Sequence, residues 1–187
     1  MGKLRYSMNV SLDGYVEDAE GSIDFTAPSE EVHRAANEQV RETSAFLFGR
    51  RLYETMETPW RELAERDDLP PVMAEFAGLY LAIPRYVVSD TLSDVPADIT
   101  LVRRAEAAAQ VTRLKRETDG YVDIGGPTLA GSLLGLLDEI RLYVLPVTIG
   151  GGKRFLPPGA QLRLRLLEQR AFPCGVVFLR YEVVHQD

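Results

Sequence analysis

The chain has 187 residues, enough for one compact domain with a sizeable core, and its 45% hydrophobic and 26% charged shares are those of an ordinary globular protein. A formal net charge of −7 argues against a broad nucleic-acid or anionic-membrane surface, while leaving room for a local basic pocket. No apolar run is long enough for a membrane span, and Met1–Tyr15 lacks a signal-peptide pattern. A lone Cys174 with only His33 and His185 excludes an internal disulfide and argues against a Cys/His zinc site, so a reducing cytoplasm is the expected compartment and no metal is expected.

Leu4–Leu12 alternates Leu4, Tyr6, Met8, Val10 and Leu12 with more polar neighbours, which predicts a first strand. Asp13-Gly14 is a turn signal, and Tyr15-Val16 follows it. Glu17–Pro28 is acidic, rich in small residues and reads as a loop, either a lid over a ligand or a surface connection. Ser29 can cap a helix whose first turn carries Glu30 and Glu31 and whose apolar side carries Val32, Ala35, Ala36 and Val40. Ala45–Phe48 predicts a buried strand that ends at Gly49-Arg50-Arg51. A second helix begins near Leu52 and is expected to stop at Pro59, leaving Trp60–Pro71 irregular. Val72–Tyr80 is ambiguous and at most one helix.

Arg85–Val88 and Ile99–Val102 read as strands, closed by Ser89-Asp90 and Arg103-Arg104. Ala105–Glu117 is alanine-rich with no breaker inside and predicts a helix. Tyr121–Ile124 is a short β-prone run that stops at Gly125-Gly126, after which Pro127 sits where a first helical residue belongs. Thr128 and the leucines from Leu129 to Leu137 continue that helix, Asp138-Glu139 ends it, and Ile140–Val147 returns as a strand. Glycines here would let a ligand approach the backbone, and the helix start favours an anion. A plain tight turn is the competing reading. A G-x-G-x-x-G fingerprint fails at Pro127, and a P-loop fails because Arg154 follows Lys153. Gln161–Arg170 and Val176–Val184 predict an antiparallel pair at one edge. Strands alternating with helices, then a closing hairpin, indicate an α/β domain with a mostly parallel sheet.

Ligands in such sheets bind outside the carboxyl ends of the strands. Four of those ends carry basic, hydroxyl or glycine residues: Gly49-Arg50-Arg51, Ser89-Asp90, Arg103-Arg104 and Gly125–Thr128. Together they could hold the phosphates of a nucleotide.

SLDGYVED (Ser11–Asp18), FLFGRRLYE (Phe46–Glu54), VVSDTL (Val87–Leu92), DIGGPTLAGSLLGLLDEI (Asp123–Ile140) and LPVTIGGGKRFLP (Leu145–Pro157) stand in order along nearly the whole chain. In these pieces the chain resembles the dihydrofolate reductase-like family that includes the reductase domain of the bacterial riboflavin-pathway deaminase-reductase. The resemblance implies a dihydrofolate reductase-like fold over residues 1–187 as a single domain, NADPH as cofactor, and a homodimer. It implies Arg50 and Arg51, after Gly49, beside the pyrophosphate and 2′-phosphate, with Ser89 next to the latter and Arg103 along the adenosine end. Gly125, Gly126, Pro127 and Thr128 would hold the pyrophosphate, and Asn9, Val16 and Asp18 would lie near the nicotinamide. Asp90 departs from the pattern, because a carboxylate beside a 2′-phosphate is unfavourable.

Glu30 falls where dihydrofolate reductases keep the acid that holds the pterin, so it is the first catalytic candidate. Asp13 is the second, against a reading in which it only fixes its turn. His33, near Glu30 on the same helix, reads as solvated. The Gly150–Arg154 loop either approaches a phosphorylated sugar or merely joins strands. The deaminase signature H-x-E with P-C-x-x-C is absent from the sequence. The expected function is an NADPH-dependent reductase acting on 5-amino-6-(5-phosphoribosylamino)uracil or a related heterocycle. A dihydrofolate or pterin reductase is one alternative, although Phe25-Thr26 replaces the Trp-Asn usual before the acidic helix. A non-catalytic nucleotide-binding or dimerising module is the other.

Overall fold

The computed structural model describes residues 1–185. In β1 (Lys3–Ser11) the buried side chains Leu4, Tyr6 and Val10 alternate with the polar series Arg5, Ser7, Asn9 and Ser11. The turn at Asp13-Gly14 leads into β2 (Tyr15–Glu17). Ser29 caps α1 (Glu30–Arg41), its hydroxyl accepting the Val32 N–H at 3.4 Å. The chain then forms β3 (Thr43–Gly49), α2 (Arg50–Ala64), α3 (Pro71–Ala82), β4 (Arg85–Val88), β5 (Ile99–Val102) and α4 (Ala107–Glu117). β6 (Tyr121–Gly125), α5 (Pro127–Ser132), β7 (Glu139–Leu145), β8 (Lys153–Arg154), β9 (Leu164–Ala171) and β10 (Val177–Val183) complete it.

The main sheet has eight strands in the order β5-β4-β3-β6-β1-β7-β10-β9. From β5 to β7 every neighbour is parallel. β10 then runs antiparallel to both β7 and β9, which is the expected closing hairpin. β2 and β8 make a small separate ribbon. One face of the sheet packs Leu4, Tyr6, Val122 and Ile124 against Val111 and Leu114 of α4 and Leu129 of α5. The other packs Phe46, Phe48 and Val87 against Tyr53, Phe76 and Tyr80 of α2 and α3.

Two local expectations are corrected. α2 does not stop at Pro59 but continues to Ala64, so the irregular stretch shrinks to Glu65–Pro70. An internal proline costs about 3 kcal/mol in a free helix. Here the helix is held on both sides of it, before it by buried Glu57, which accepts the Tyr80 hydroxyl at 2.9 Å, and after it by Trp60, whose ring lies 4.4 Å from that of Phe76. In the other direction, the helix expected to reach Leu137 is shorter. α5 ends at Ser132, and a 3₁₀ turn at Leu134–Leu136 carries the remaining leucines.

The feature that positions the site is a divergence in mid-sheet. β6 pairs with β1 only from Lys3↔Tyr121 to Tyr6↔Ile124 and ends at Gly125. β1 continues to Ser11, paired with β7 alone. The last residues of β1 therefore have an open flank where β6 turns away into α5.

Below that divergence the two strands are clamped by charge. Arg5, fully buried, donates from Nε and Nη2 to the two oxygens of Asp123, its register partner, with the Nη2 bond at 2.7 Å. Nη1 donates to Glu42 at 2.8 Å, and Nη2 also reaches the Gln39 carbonyl at 2.9 Å. The network continues through Glu139, which accepts from Arg141 at 2.6 Å, Arg180 at 3.0 Å and the Tyr121 hydroxyl at 3.1 Å. Burial works against the Glu139 carboxylate, but Arg180 and Arg141 outweigh it and hold its pKa below the usual value.

Asp123→Ala should cost about 3–5 kcal/mol, read as a lowered urea midpoint, because it strips a buried guanidinium of its main partner. Glu139 adds a sign to the pH dependence. Its folded pKa is depressed, so its contribution is complete above the unfolded carboxylate value of about 4.3 and is lost as pH falls through the folded pKa. Urea midpoints measured from neutral to acid pH should therefore fall less steeply in Glu139→Gln than in the wild type.

Candidate functional site

A cleft of about 510 Å³ opens at the carboxyl ends of the parallel strands, over the divergence of β1 and β6. Its two ends differ in chemistry. At the divergence the walls are Met8 of β1, buried Val16 of β2, Leu52 of α2, and Ile23 from the loop before α1. At the far end, beyond β4 and β5, the walls are Arg50, Ser89, Asp90, Thr91 and Arg104. Between them lie the strand-end turns at Gly49 and Gly126, and Lys153 of β8 closes one side.

The middle of the cleft suits an anion. Gly49 is the N-cap of α2 and has no side-chain cap, so the first-turn N–H groups of a fifteen-residue helix are left for a ligand. Gly126, at φ +97°, turns the chain sharply from β6 into α5, and a Cβ there would meet nothing closer than 3.8 Å. Its requirement for glycine is therefore conformational, and the backbone at this turn lies open to the cleft. α5 has only six residues. α2 is thus the stronger anion-receptive terminus, a feature that sequence inspection, centred on Gly125-Gly126-Pro127, did not single out.

Arginines on the rim are already partnered. Arg50 pairs with Glu54 at 2.7 Å and donates from Nη1 to the Thr91 hydroxyl at 2.8 Å. Arg51 reaches across to Glu17 of β2 at 3.0 Å and packs against Gly21, so one ion pair bridges the cleft from α2 to the loop. Ser89 is buried, and its Oγ accepts the N–H groups of Thr91 and Leu92 at 3.2 and 3.0 Å, which shapes the turn after β4.

Of the residues expected at a site, Val16, Gly49, Arg50, Arg51, Ser89, Gly126, Pro127 and Thr128 line this cleft together. The rest stand elsewhere. Arg103, though exposed, is tied to the turn after β4, donating to the carbonyls of Ser89 and Leu92 at 2.9 Å each, and Arg104 takes its place in the lining. Gly125 packs beneath the turn, where a Cβ would strike Leu52 and Phe48. Asn9 donates to the Thr26 carbonyl at 3.1 Å, and Asp18 closes its own loop by accepting the Ser22 N–H at 2.7 Å.

Neither acid expected to be catalytic lines the cleft. Glu30 is exposed at the start of α1 and pairs with Arg34 one turn on, as helix-terminus charges do. Asp13 anchors the Gly150 loop, its carboxylate accepting the Gly150 N–H at 2.8 Å and the Ile149 N–H at 3.2 Å. A hydrogen bond from Ser11, then these amides, hold its pKa below the ordinary value. The acids that do line the cleft are Glu17, Asp24 and Asp90. His33 is half-buried edge-on to Phe76 and Trp60, and burial lowers its pKa.

Comparison with known proteins follows the same lines. The family model for the RibD C-terminal domain matches residues 2–178. The uncharacterized protein YyaP of Bacillus subtilis is 25% identical over 183 residues, covering 96% of this chain and 94% of that one. A putative riboflavin biosynthesis protein from Shewanella sp. PV-4 superposes with a TM-score of 0.71 at 18% identity, over 98% and 99% of the two chains. The diaminohydroxyphosphoribosylaminopyrimidine deaminase/5-amino-6-(5-phosphoribosylamino)uracil reductase of Thermotoga maritima gives 0.65 at 14% identity, over 98% of this chain and 57% of that longer one. Dihydrofolate reductase from Enterococcus faecalis, solved with NADP(H), gives 0.64 at 10% identity, over 97% and 96%. At these identities the solved structures establish a shared fold, that of the dihydrofolate reductases.

Gly126→Ala should lower stability by about 1–3 kcal/mol through backbone strain alone, since the methyl group has room. A thermal melt of the purified variant checks it, and an unchanged melting temperature would mean that the turn relaxes.

Proposed function

The chain belongs to the RibD C-terminal domain family, and we propose that it is an NADPH-dependent reductase of the riboflavin-pathway type, passing hydride to 5-amino-6-(5-phosphoribosylamino)uracil or a related heterocycle. The observation that carries this reading is the graded cleft. An apolar slot at the divergence of β1 and β6 runs through an anion-receptive middle to a rim of guanidiniums and hydroxyls. That order of surfaces matches a dinucleotide laid from an uncharged ring, across its pyrophosphate, to a phosphorylated ribose. One of the structural relatives is described as a putative riboflavin biosynthesis protein, a second as a 5-amino-6-(5-phosphoribosylamino)uracil reductase and a third as a dihydrofolate reductase complexed with NADP(H), which supports the same direction.

Bound nicotinamide supplies the hydride chemistry, and the protein's share is position and electrostatics. Met8 and Val16 wall the slot and keep water from the ring. Gly49 and Gly126 would let a pyrophosphate lie against the backbone, where the first-turn N–H groups of α2 would donate to it. Thr128 offers a hydroxyl on the same side. Arg51 would exchange Glu17 for the pyrophosphate, and Arg50 with Ser89 would hold the phosphate on the ribose. The substrate heterocycle would be received beside Ile23 and Asp24, which line the cleft from the loop that joins β2 to α1.

Binding is tested by quenching of NADPH fluorescence, and turnover by NADPH absorbance with the riboflavin intermediate and with dihydrofolate. The reading expects binding of NADPH and oxidation with the riboflavin-type substrate. Protein that binds no dinucleotide would overturn it. Arg50→Ala should weaken NADPH about tenfold more than NADH, the loss of one charge-assisted contact. Equal losses would remove Arg50 from the ribose phosphate.

A further inference from the structure

One carboxylate stands among the guanidiniums at the polar end of the cleft, and hydride transfer gives it no task. Asp90 follows Ser89 at the carboxyl end of β4 and lines the cleft beside Arg104. Its Oδ1 accepts the Arg104 N–H at 2.9 Å, and its Oδ2 lies 3.6 Å from Arg104 Nε. A backbone bond thus fixes this carboxylate at the rim. The neighbouring charges are accounted for in the same way: Arg50 is paired with Glu54 and tied to Thr91, the residue after Asp90. Arg103 is committed to the Ser89 and Leu92 carbonyls. Of these groups Arg50, Arg104 and Asp90 are part of the cleft's lining, and Arg103 and Glu54 are not.

That arrangement treats two ligands differently. A phosphate monoester of nearly two negative charges meets Arg104 already paired and the Asp90 carboxylate as a repulsive neighbour. A free ribose hydroxyl meets a fixed acceptor of the kind that dinucleotide sites use for an unphosphorylated ribose. We propose that Asp90 is a specificity-determining residue that levels the cleft's affinity for 2′-phosphorylated and unphosphorylated dinucleotides, so that NADH is accepted alongside NADPH. The proposal rests on the dinucleotide reading of the cleft.

Fluorescence titration of the wild type and of Asp90→Asn with NADPH and with NADH tests it. The asparagine oxygen can still accept the Arg104 N–H, so the turn is kept while the charge is removed. Wild-type dissociation constants for the two cofactors should lie within about tenfold of each other, and Asp90→Asn should tighten NADPH about tenfold while leaving NADH unchanged or weaker. Arg104→Gln, which removes the opposing charge, should weaken NADPH and spare NADH. An NADPH-to-NADH ratio unchanged by Asp90→Asn, or a wild-type preference for NADPH of about a hundredfold or more, would overturn the role of Asp90 while leaving the cleft a dinucleotide site. Failure of the wild type to bind either dinucleotide would instead remove the reductase reading, and this proposal with it.

Discussion

The pairing of Arg5 with Asp123 is the constraint on which the rest of the architecture depends. It joins the two central parallel strands side chain to side chain in the register that their backbones share, in a position closed to water. A buried ion pair adds little net stability over a well-packed apolar substitute, because both charges must be desolvated. What it does supply is intolerance of error. A slip of one residue between β1 and β6 would point Arg5 and Asp123 to opposite faces and bury each unpaired. Held in that register, β6 runs out at Gly125 while β1 continues toward Ser11. The cleft is the space that this fixed mismatch in length leaves behind.

Around that space the loops act as an electrostatic frame. The rim holds Arg50, Arg51 and Arg104, yet each has a carboxylate beside it in Glu54, Glu17 and Asp90. Such partly exposed pairs contribute little to stability, and a stronger anion can displace them. The rim's guanidiniums are consequently offset, and the pocket is nearly neutral in net charge. Affinity for a phosphate then depends on how many of these pairs the ligand breaks and what each arginine gains in exchange.

Asp13 and Arg103 illustrate another layer of the design. Both are charged residues next to the cleft, and both spend their hydrogen bonds on backbone: Asp13 on the Gly150 loop, Arg103 on the turn after β4. They hold walls in place. Glu57 does the same for α2 and α3, which explains how a helix can pass through Pro59 without breaking.

The sequence by itself determined the strands, the α/β class, the closing hairpin and the set of strand ends that make the rim. These are carried by local signals: alternation of apolar residues, a glycine where φ must be positive, and polar residues just past each apolar run. It also held the rim in plain view, since parallel strands must finish on one side. Tertiary structure alone decided which of the candidate residues line the cleft. Arg104 and not Arg103 does so, and Gly126 and not Gly125, because adjacent residues leave the backbone in different directions, while among the acids it is Glu17 and not the distant Glu30. That choice is set by their surroundings: the carbonyls that hold Arg103 against the turn after β4, the Leu52 and Phe48 side chains beside Gly125, and the solvent around Glu30. Helix α2 running past Pro59 was decided in the same way, by the contact of Trp60 with Phe76 of α3 and by its own buried Glu57, whose partners Tyr80 and Arg85 come from a helix and a strand further along the chain.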